Sequence, residues 1–220
     1  MMCTRKQHRE NKLEIDNMSF ESVQSFMYLG STVNQNTTIE EEIKERKQKA
    51  FYANQKMFQN KLLSKKSKLK LYWTLIRPIV TYACETWVLK ENIIQKLVIF
   101  ERKILRKIFG PTKEVNGLWR IKTNEELDEL IKRKDIIRFI KSQRLKWLGH
   151  VERMPNEREV TIIFKWKPLA SRPKGRPKNR WGDDVRIDLQ KMKVKNWKKS
   201  VLDRDTWRTI VERTKTRKEL

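Results

Sequence analysis

Two blocks of this sequence set cations beside indole rings: Arg144-Leu-Lys-Trp-Leu-Gly-His-Val-Glu-Arg-Met-Pro155 and Gly175-Arg-Pro-Lys-Asn-Arg-Trp181. A cation neutralises phosphate, and an indole offers a flat face to a base or a guanidinium. The Lys and Arg set therefore reads as polyanion contact: Lys103, Arg106, Lys107, Arg138, Lys141, Arg144, Lys146, Lys174, Arg176 and Arg180. His150 has no Ser, Cys or carboxylate partner in sequence and reads as a backbone or phosphate contact. Trp147, with Leu145 and Leu148 beside it, reads as a core anchor. Trp181, in a Pro-rich stretch with few apolar neighbours, reads as a stacking contact, the alternative being a staple folded back beside Val185 and Leu189 onto the following helix. Gly149 is expected to turn the chain at the end of a basic helix.

Other groups suggest chemistry and do not carry it. Gly182-Asp183-Asp184 has the form of a metal-binding carboxylate pair, but Val185 and Leu189 follow at helical spacing, which favours a helix start. Glu40, Glu41 and Glu42 have the same explanation, since carboxylates are favoured in a first turn. Two Cys (Cys3, Cys84) and two His (His8, His150) provide no zinc-ligand spacing. No phosphate-cradling Gly loop and no nucleophile elbow are present. Arg172-Pro-Lys-Gly-Arg-Pro-Lys178 suits either an extended basic linker or a segment lying in the minor groove of A·T-rich DNA.

Composition points to the same partner. The 220 residues hold 52 Lys and Arg against 27 Asp and Glu, a formal charge of +25. Self-repulsion at that charge opposes compaction, and a polyanion relieves it. Nucleic acid is the expected partner, with no membrane and no small-molecule substrate. Hydrophobic residues make up only 38%, yet eight Trp and eight Phe can build a core. The longest apolar run, near Leu71 to Leu89, is broken by Arg77, Pro78 and Glu85 and is no membrane span.

The elements that must position these residues are mostly helical. Weak alternation from Lys12 to Val33 predicts short strands. A helix opens at Thr37 or Thr38 and runs towards Leu62, followed by a lysine-rich turn from Ser64 to Lys68. The next, from Leu69 to Leu89, is apolar on most faces and is expected to be central, with a kink or break at Pro78. A third runs from Asn92 to Phe109 and stops at Gly110-Pro111. After a loop through Gly117 to Arg120, Asn124 caps a helix that continues towards Trp147. Met154 to Arg180 reads as a linker with a short strand at Val160 to Trp166. A short helix starts at Asp183 or Asp184, and a last one follows Asp203 with Trp207 and Ile210 inward.

Seven landmarks in order resemble a known family. They are Phe26-Met-Tyr-Leu-Gly-Ser31, Pro78-Ile-Val-Thr-Tyr-Ala-Cys-Glu-Thr-Trp87, Glu101-Arg-Lys-Ile-Leu-Arg-Lys-Ile-Phe-Gly-Pro111, Asn116-Gly-Leu-Trp-Arg-Ile-Lys-Thr-Asn-Glu-Glu-Leu127, Arg144 to Pro155, Gly175 to Trp181, and Asp203-Arg-Asp-Thr-Trp-Arg208. Together they resemble the carboxy-terminal third of LINE-type, non-long-terminal-repeat retrotransposon reverse transcriptases of the RTE-like group. The resemblance implies a mainly α fold: a short N-terminal β-hairpin, a helical thumb-like bundle, a basic helix, then an extended linker and short C-terminal helices. It places the end of the palm and the primer-grip hairpin at 1–36, with Tyr28, Leu29 and Gly30 as the grip. The thumb follows at 37–110, the post-thumb helical segment at 111–155, the Pro/Arg-rich linker at 156–182 and the C-terminal helices at 183–220.

The family's polymerase aspartates and endonuclease lie upstream of the grip, so the resemblance implies a nucleic-acid-binding part without catalysis. It implies an intracellular, nuclear protein with no cofactor of its own, Mg²⁺ belonging to the parent polymerase. It also implies that Met1 was an internal methionine of a longer protein. RNA, RNA–DNA hybrid or DNA are all possible partners on this reading. Two alternatives stay open: a host-adopted DNA-binding protein using the Gly-Arg-Pro segment, and a non-functional relic.

Overall fold

The structure, a computed structural model, describes residues 12–34, 38–166 and 180–215. It is mainly helical, and the chain divides into two compact units, 1–54 and 55–220.

In the first unit the alternating stretch forms two antiparallel hairpins where one was expected. β1 (Lys12–Ile15) pairs with β2 (Met18–Glu21), and β3 (Ser25–Tyr28) with β4 (Ser31–Asn34). Each turns over two residues with positive φ, Asp16 (50°) and Asn17 (61°), then Leu29 (47°) and Gly30 (77°). Such turns match the right-handed twist of the strands they join. The Asn34 Oδ1 accepts the Thr38 N–H (2.9 Å), linking the end of β4 to the approach of α1 (Glu40–Gln59).

The second unit begins within the end of α1 and continues with α2 (Lys65–Leu71), which occupies the expected lysine-rich turn because Ser64 caps it, its Oγ accepting the Ser67 N–H at 3.0 Å. The long helix expected from Leu69 to Leu89 is broken into pieces. A π-helical turn (Tyr72–Ile76) leads into α3 (Arg77–Val80), and a 3₁₀ turn follows at Cys84–Thr86. Pro78 has no N–H to give and its ring crowds the preceding turn, so the helix widens just before it. α4 (Glu91–Phe109) ends at Gly110, whose φ is 69°.

The loop expected at Gly117 to Arg120 is a small hairpin of β5 (Thr112–Lys113) and β6 (Trp119–Arg120). Thr123, not Asn124, caps α5 (Asn124–Leu130), forming a reciprocal box with Glu126. The helix does not continue to Trp147: Lys132 and Arg133 take positive φ, and Asp135 caps a new helix, α6 (Ile136–Glu152). Residues 159–165 form α7 (Glu159–Lys165), not the expected strand, despite the β-branched Val160-Thr-Ile-Ile163 run. A lone strand would leave its N–H and C=O groups unpaired, while a helix satisfies them internally. α8 (Trp181–Lys191), α9 (Trp197–Ser200) and α10 (Arg204–Thr214) complete the unit.

The centre is α6 rather than the Pro78 region. It packs against α4, α7, α8, α10 and the 3₁₀ turn. Leu145 and Leu148 join Val185, Leu189, Met192, Val201, Trp207, Ile210 and Val211 in one apolar core. Gly149 stays helical and does not turn the chain. Its missing side chain makes room for Trp207, whose Nε1 donates to the Leu145 carbonyl at 2.9 Å.

On the other side of α6, the buried Glu101 joins three elements. Its Oε1 accepts from the Tyr72 hydroxyl (2.7 Å), and its Oε2 accepts the Ile136 N–H (2.8 Å) at the start of α6. Burial pushes the carboxyl up to about 7, against those two hydrogen bonds and the nearby Arg77 charge.

Two predictions follow from this packing. An added Cβ at Gly149 would stand 2.1 Å from the Trp207 Nε1. Gly149→Ala should cost about 1–3 kcal/mol in denaturant melts, although alanine is the better helix former. A Trp207→Leu background should shrink that cost. For Glu101, the folded protein keeps a proton that the unfolded chain releases above about 4.5. Its contribution is thus fully present below about pH 4.5 and is lost as pH rises through about 7, about 3 kcal/mol in all. Glu101→Gln, with its oxygen towards Ile136 and its amide towards Tyr72, should flatten this part of the pH–stability profile.

Candidate nucleic-acid interface

In the first unit, Tyr28, Leu29 and Gly30 form the exposed tip of the β3–β4 hairpin, with Leu29 75% exposed. The tip is held from α1 by the buried Arg46. Its Nη2 donates to the Gly30 carbonyl (3.4 Å) and the Ser31 hydroxyl (3.0 Å) and pairs with Glu42. Sequence reasoning passed over Arg46. The signal was the Glu42–Arg46 spacing of one helical turn, a pattern usually found on solvated faces.

In the second unit the predicted cations separate into three groups. Lys103 and Lys107 lie one turn apart on exposed positions of α4, and Lys146 and His150 likewise on α6. Arg180 is exposed at the N-cap of α8. These five side chains stand at the protein surface.

A second group is half-buried and partly committed. Arg106 donates to Asn124 Oδ1 (2.8 Å) and more weakly to the Lys122 carbonyl, bracing the approach to α5. Arg138 pairs with Asp135 and donates to the Arg133 carbonyl (3.0 Å), closing the turn before α6.

Lys141 and Arg144 form the third group and are corrections, because both point into the protein. Arg144 is 0% exposed; its Nη2 meets Asp184 Oδ2 at 2.8 Å and its Nη1 lies 3.5 Å from Asp188 Oδ2. The Lys141 Nζ sits 2.8 Å from Asp188 Oδ1. Asp184 also accepts the Leu89 N–H at 3.0 Å. This explains Gly182-Asp183-Asp184 without catalysis: Asp183 faces Arg186 on the surface in the first turn of α8, while Asp184 docks that helix. Lys174, Arg176 and the Gly-Arg-Pro segment lie outside the described residues.

The tryptophan assignments also change. Trp181 donates its Nε1 to the Glu85 carbonyl (2.7 Å), and its ring meets Phe164 edge-on at 5.8 Å. It is a half-buried anchor against the core, so the stacking role does not fit it. Trp147 is half-buried rather than a core anchor, and its ring lies 5.5 Å from the exposed His150 ring.

Among the described residues, no group of three or more His, Cys, Asp or Glu side chains is placed to hold a metal ion. No helix among them is long and apolar enough to cross a membrane.

The chain is similar to an uncharacterized transposon-derived protein of Caenorhabditis elegans. The two are 25% identical over 207 residues, covering 89% of this chain and 73% of that protein. No protein-family model and no solved structure matches the chain. The similarity is consistent with a transposon-related origin.

The two neighbouring aspartates should separate cleanly in denaturant melts. Asp184→Ala leaves a buried guanidinium without its closest partner and should cost roughly 3–5 kcal/mol. Asp183→Ala removes the surface pair with Arg186 and should cost less than Asp184→Ala, about 1 kcal/mol.

Proposed function

We propose that this chain is the nucleic-acid-holding part of a LINE-type reverse transcriptase of the RTE-like group. The β3–β4 tip serves as primer grip, the helices through α4 as thumb, and the remainder as a post-thumb region that binds element RNA or target DNA. On this reading the chain has no catalysis of its own, works in the nucleus, and needs Mg²⁺ only where a polymerase palm supplies the ligands.

The observation that carries this reading is an uncompensated surface charge. Among the described residues, the buried Glu42, Glu101 and Asp188 are matched by the buried Arg46, Lys141 and Arg144, while Lys103, Lys107, Lys146 and Arg180 stand at exposed positions. The core thus takes up none of the formal +25 charge. A folded domain gains nothing from that arrangement alone, whereas a phosphate backbone uses it directly. The transposon-derived relative supports a transposon-related origin, and the choice of family within it rests on the resemblance of the seven ordered landmarks.

Binding should be salt-steep. If about six to ten phosphates are neutralised, affinity for an RNA–DNA hybrid should fall roughly 10³–10⁵-fold between about 50 and 200 mM salt, read by fluorescence anisotropy. A flat salt response would overturn the reading. Preference for A·T-rich duplex over hybrid would favour a DNA-binding role instead. Primer extension by the purified chain with Mg²⁺ or Mn²⁺ would refute the absence of catalysis.

A further inference from the structure

The β5–β6 hairpin is amphipathic in the wrong sense for a folded protein. In an antiparallel pair, residues directly opposite share a face. Here Thr112 stands opposite Arg120, and Lys113 opposite Trp119.

The Thr112/Arg120 face is polar and satisfied within the protein. Arg120 reaches Glu126 on α5 with two nitrogens (2.6 and 2.9 Å) and Glu114 with its Nε (2.9 Å). The Thr112 hydroxyl accepts from Lys122 at 2.5 Å.

The Lys113/Trp119 face is the apolar one, and it is open. Trp119 is 67% exposed and Ile121 73%, with Val115 and Leu118 exposed at the tip. The tip is fixed by its own hydrogen bonds, from Glu114 N–H to the Leu118 carbonyl (2.8 Å) and from Gly117 N–H to the Glu114 carbonyl (2.9 Å). A hairpin that spends its polar face on the protein and shows water an indole is built to meet something else.

Charge identifies the occupant. Between Lys103 and Lys122 the chain carries six cations against one carboxylate, Glu114. A second copy of a chain with charge +25 is repelled from this surface. A polyanion is attracted, and Lys113 stands across the ladder from the indole, as a phosphate stands beside its base.

We propose that the outward face of the β5–β6 hairpin is a stacking platform for unpaired bases of a nucleic-acid strand, Trp119 taking the base and Lys113 the adjoining phosphate. This rests on the polyanion reading above and adds that the chain distinguishes single strands from closed duplex. A duplex keeps its base faces stacked on one another, so it cannot use the platform.

The test uses the whole chain with a single-stranded oligothymidine and a blunt A·T duplex of equal length, at one ionic strength. Trp119→Ala should weaken oligothymidine binding about 5- to 150-fold and leave duplex binding unchanged. Trp119→Phe should retain most of the affinity. Lys113→Ala should weaken binding and lower the salt slope by about one. If Trp119→Ala does not fold, Trp119→Phe and Lys113→Ala carry the decision, and wild-type single-strand affinity and salt slope in the lysine variant would overturn the platform. Unchanged single-strand binding by a folded Trp119→Ala overturns it while duplex binding keeps the polyanion reading standing. Failure of the wild type on both ligands removes the polyanion reading and the platform with it. Self-association of the wild type that Trp119→Ala abolishes would show a contact between copies instead, against the proposal.

Discussion

Arg144 is the constraint on which the second unit depends. A guanidinium wholly out of water loses several kcal/mol of hydration unless carboxylates meet it in good geometry. Asp184 does so at 2.8 Å and Asp188 more loosely at 3.5 Å; the two, one turn apart on α8, face Arg144 and Lys141, spaced for one face of α6. Two cations and two anions balance only in one register. Sliding α8 by a residue would leave a buried charge unpaired, so the pairing specifies position more than it adds stability. Asp184 then captures the Leu89 N–H, and Trp181 captures the Glu85 carbonyl. Three stretches far apart in sequence, around 85–89, 141–144 and 181–188, are thereby fixed against one another.

That joint also shows where the buried charges go. Among the described residues the interior takes equal numbers of each sign, Glu42, Glu101 and Asp188 against Arg46, Lys141 and Arg144. The same helices leave Lys103, Lys107 and Lys146 at exposed positions. Interior ion pairing therefore leaves the formal excess of +25 to residues outside that core. The resemblance landmarks also take part in the joint: Glu85, Arg144, Trp181 and Trp207 all make its contacts or those of the adjoining core.

What sequence could disclose was what is local. The face of α4 bearing Ile93, Leu97, Phe100, Ile104 and Ile108 is buried as its spacing requires, Gly110 ends that helix, and Asp203 starts α10 with Trp207 and Ile210 inward. What failed were judgements needing a distant partner. Arg144 looks like any surface cation until Asp184, forty residues on, is seen beside it. Gly149 reads as a stop because glycine weakens helices; only the Trp207 ring explains why a helix keeps it there. Trp181 seemed to lack apolar neighbours because Phe164 lies across the Pro-rich stretch. For the candidate interface, residue types were legible, but facing was not. Lys141 and Arg144 could not be separated from Lys146 by composition, nor could the open face of Trp119 be seen in a stretch read as loop.

The first unit poses the complementary problem at Leu29. A two-residue turn of this kind needs positive φ at both positions, which Gly30 adopts without strain and a leucine does not, at a cost of roughly 1–2 kcal/mol. The side chain regains little by burial, since it is 75% exposed. Asn or Gly would serve folding better, as Asp16 and Asn17 do in the neighbouring hairpin. The conformation persists because Arg46, itself buried, grips the Gly30 carbonyl and the Ser31 hydroxyl from α1. A strained, outward apolar residue on a braced turn is poorly explained by stability. Under the proposed primer-grip role it has a use: the turn presents Leu29 at a fixed position to whatever lies against the tip, and Arg46 keeps it there.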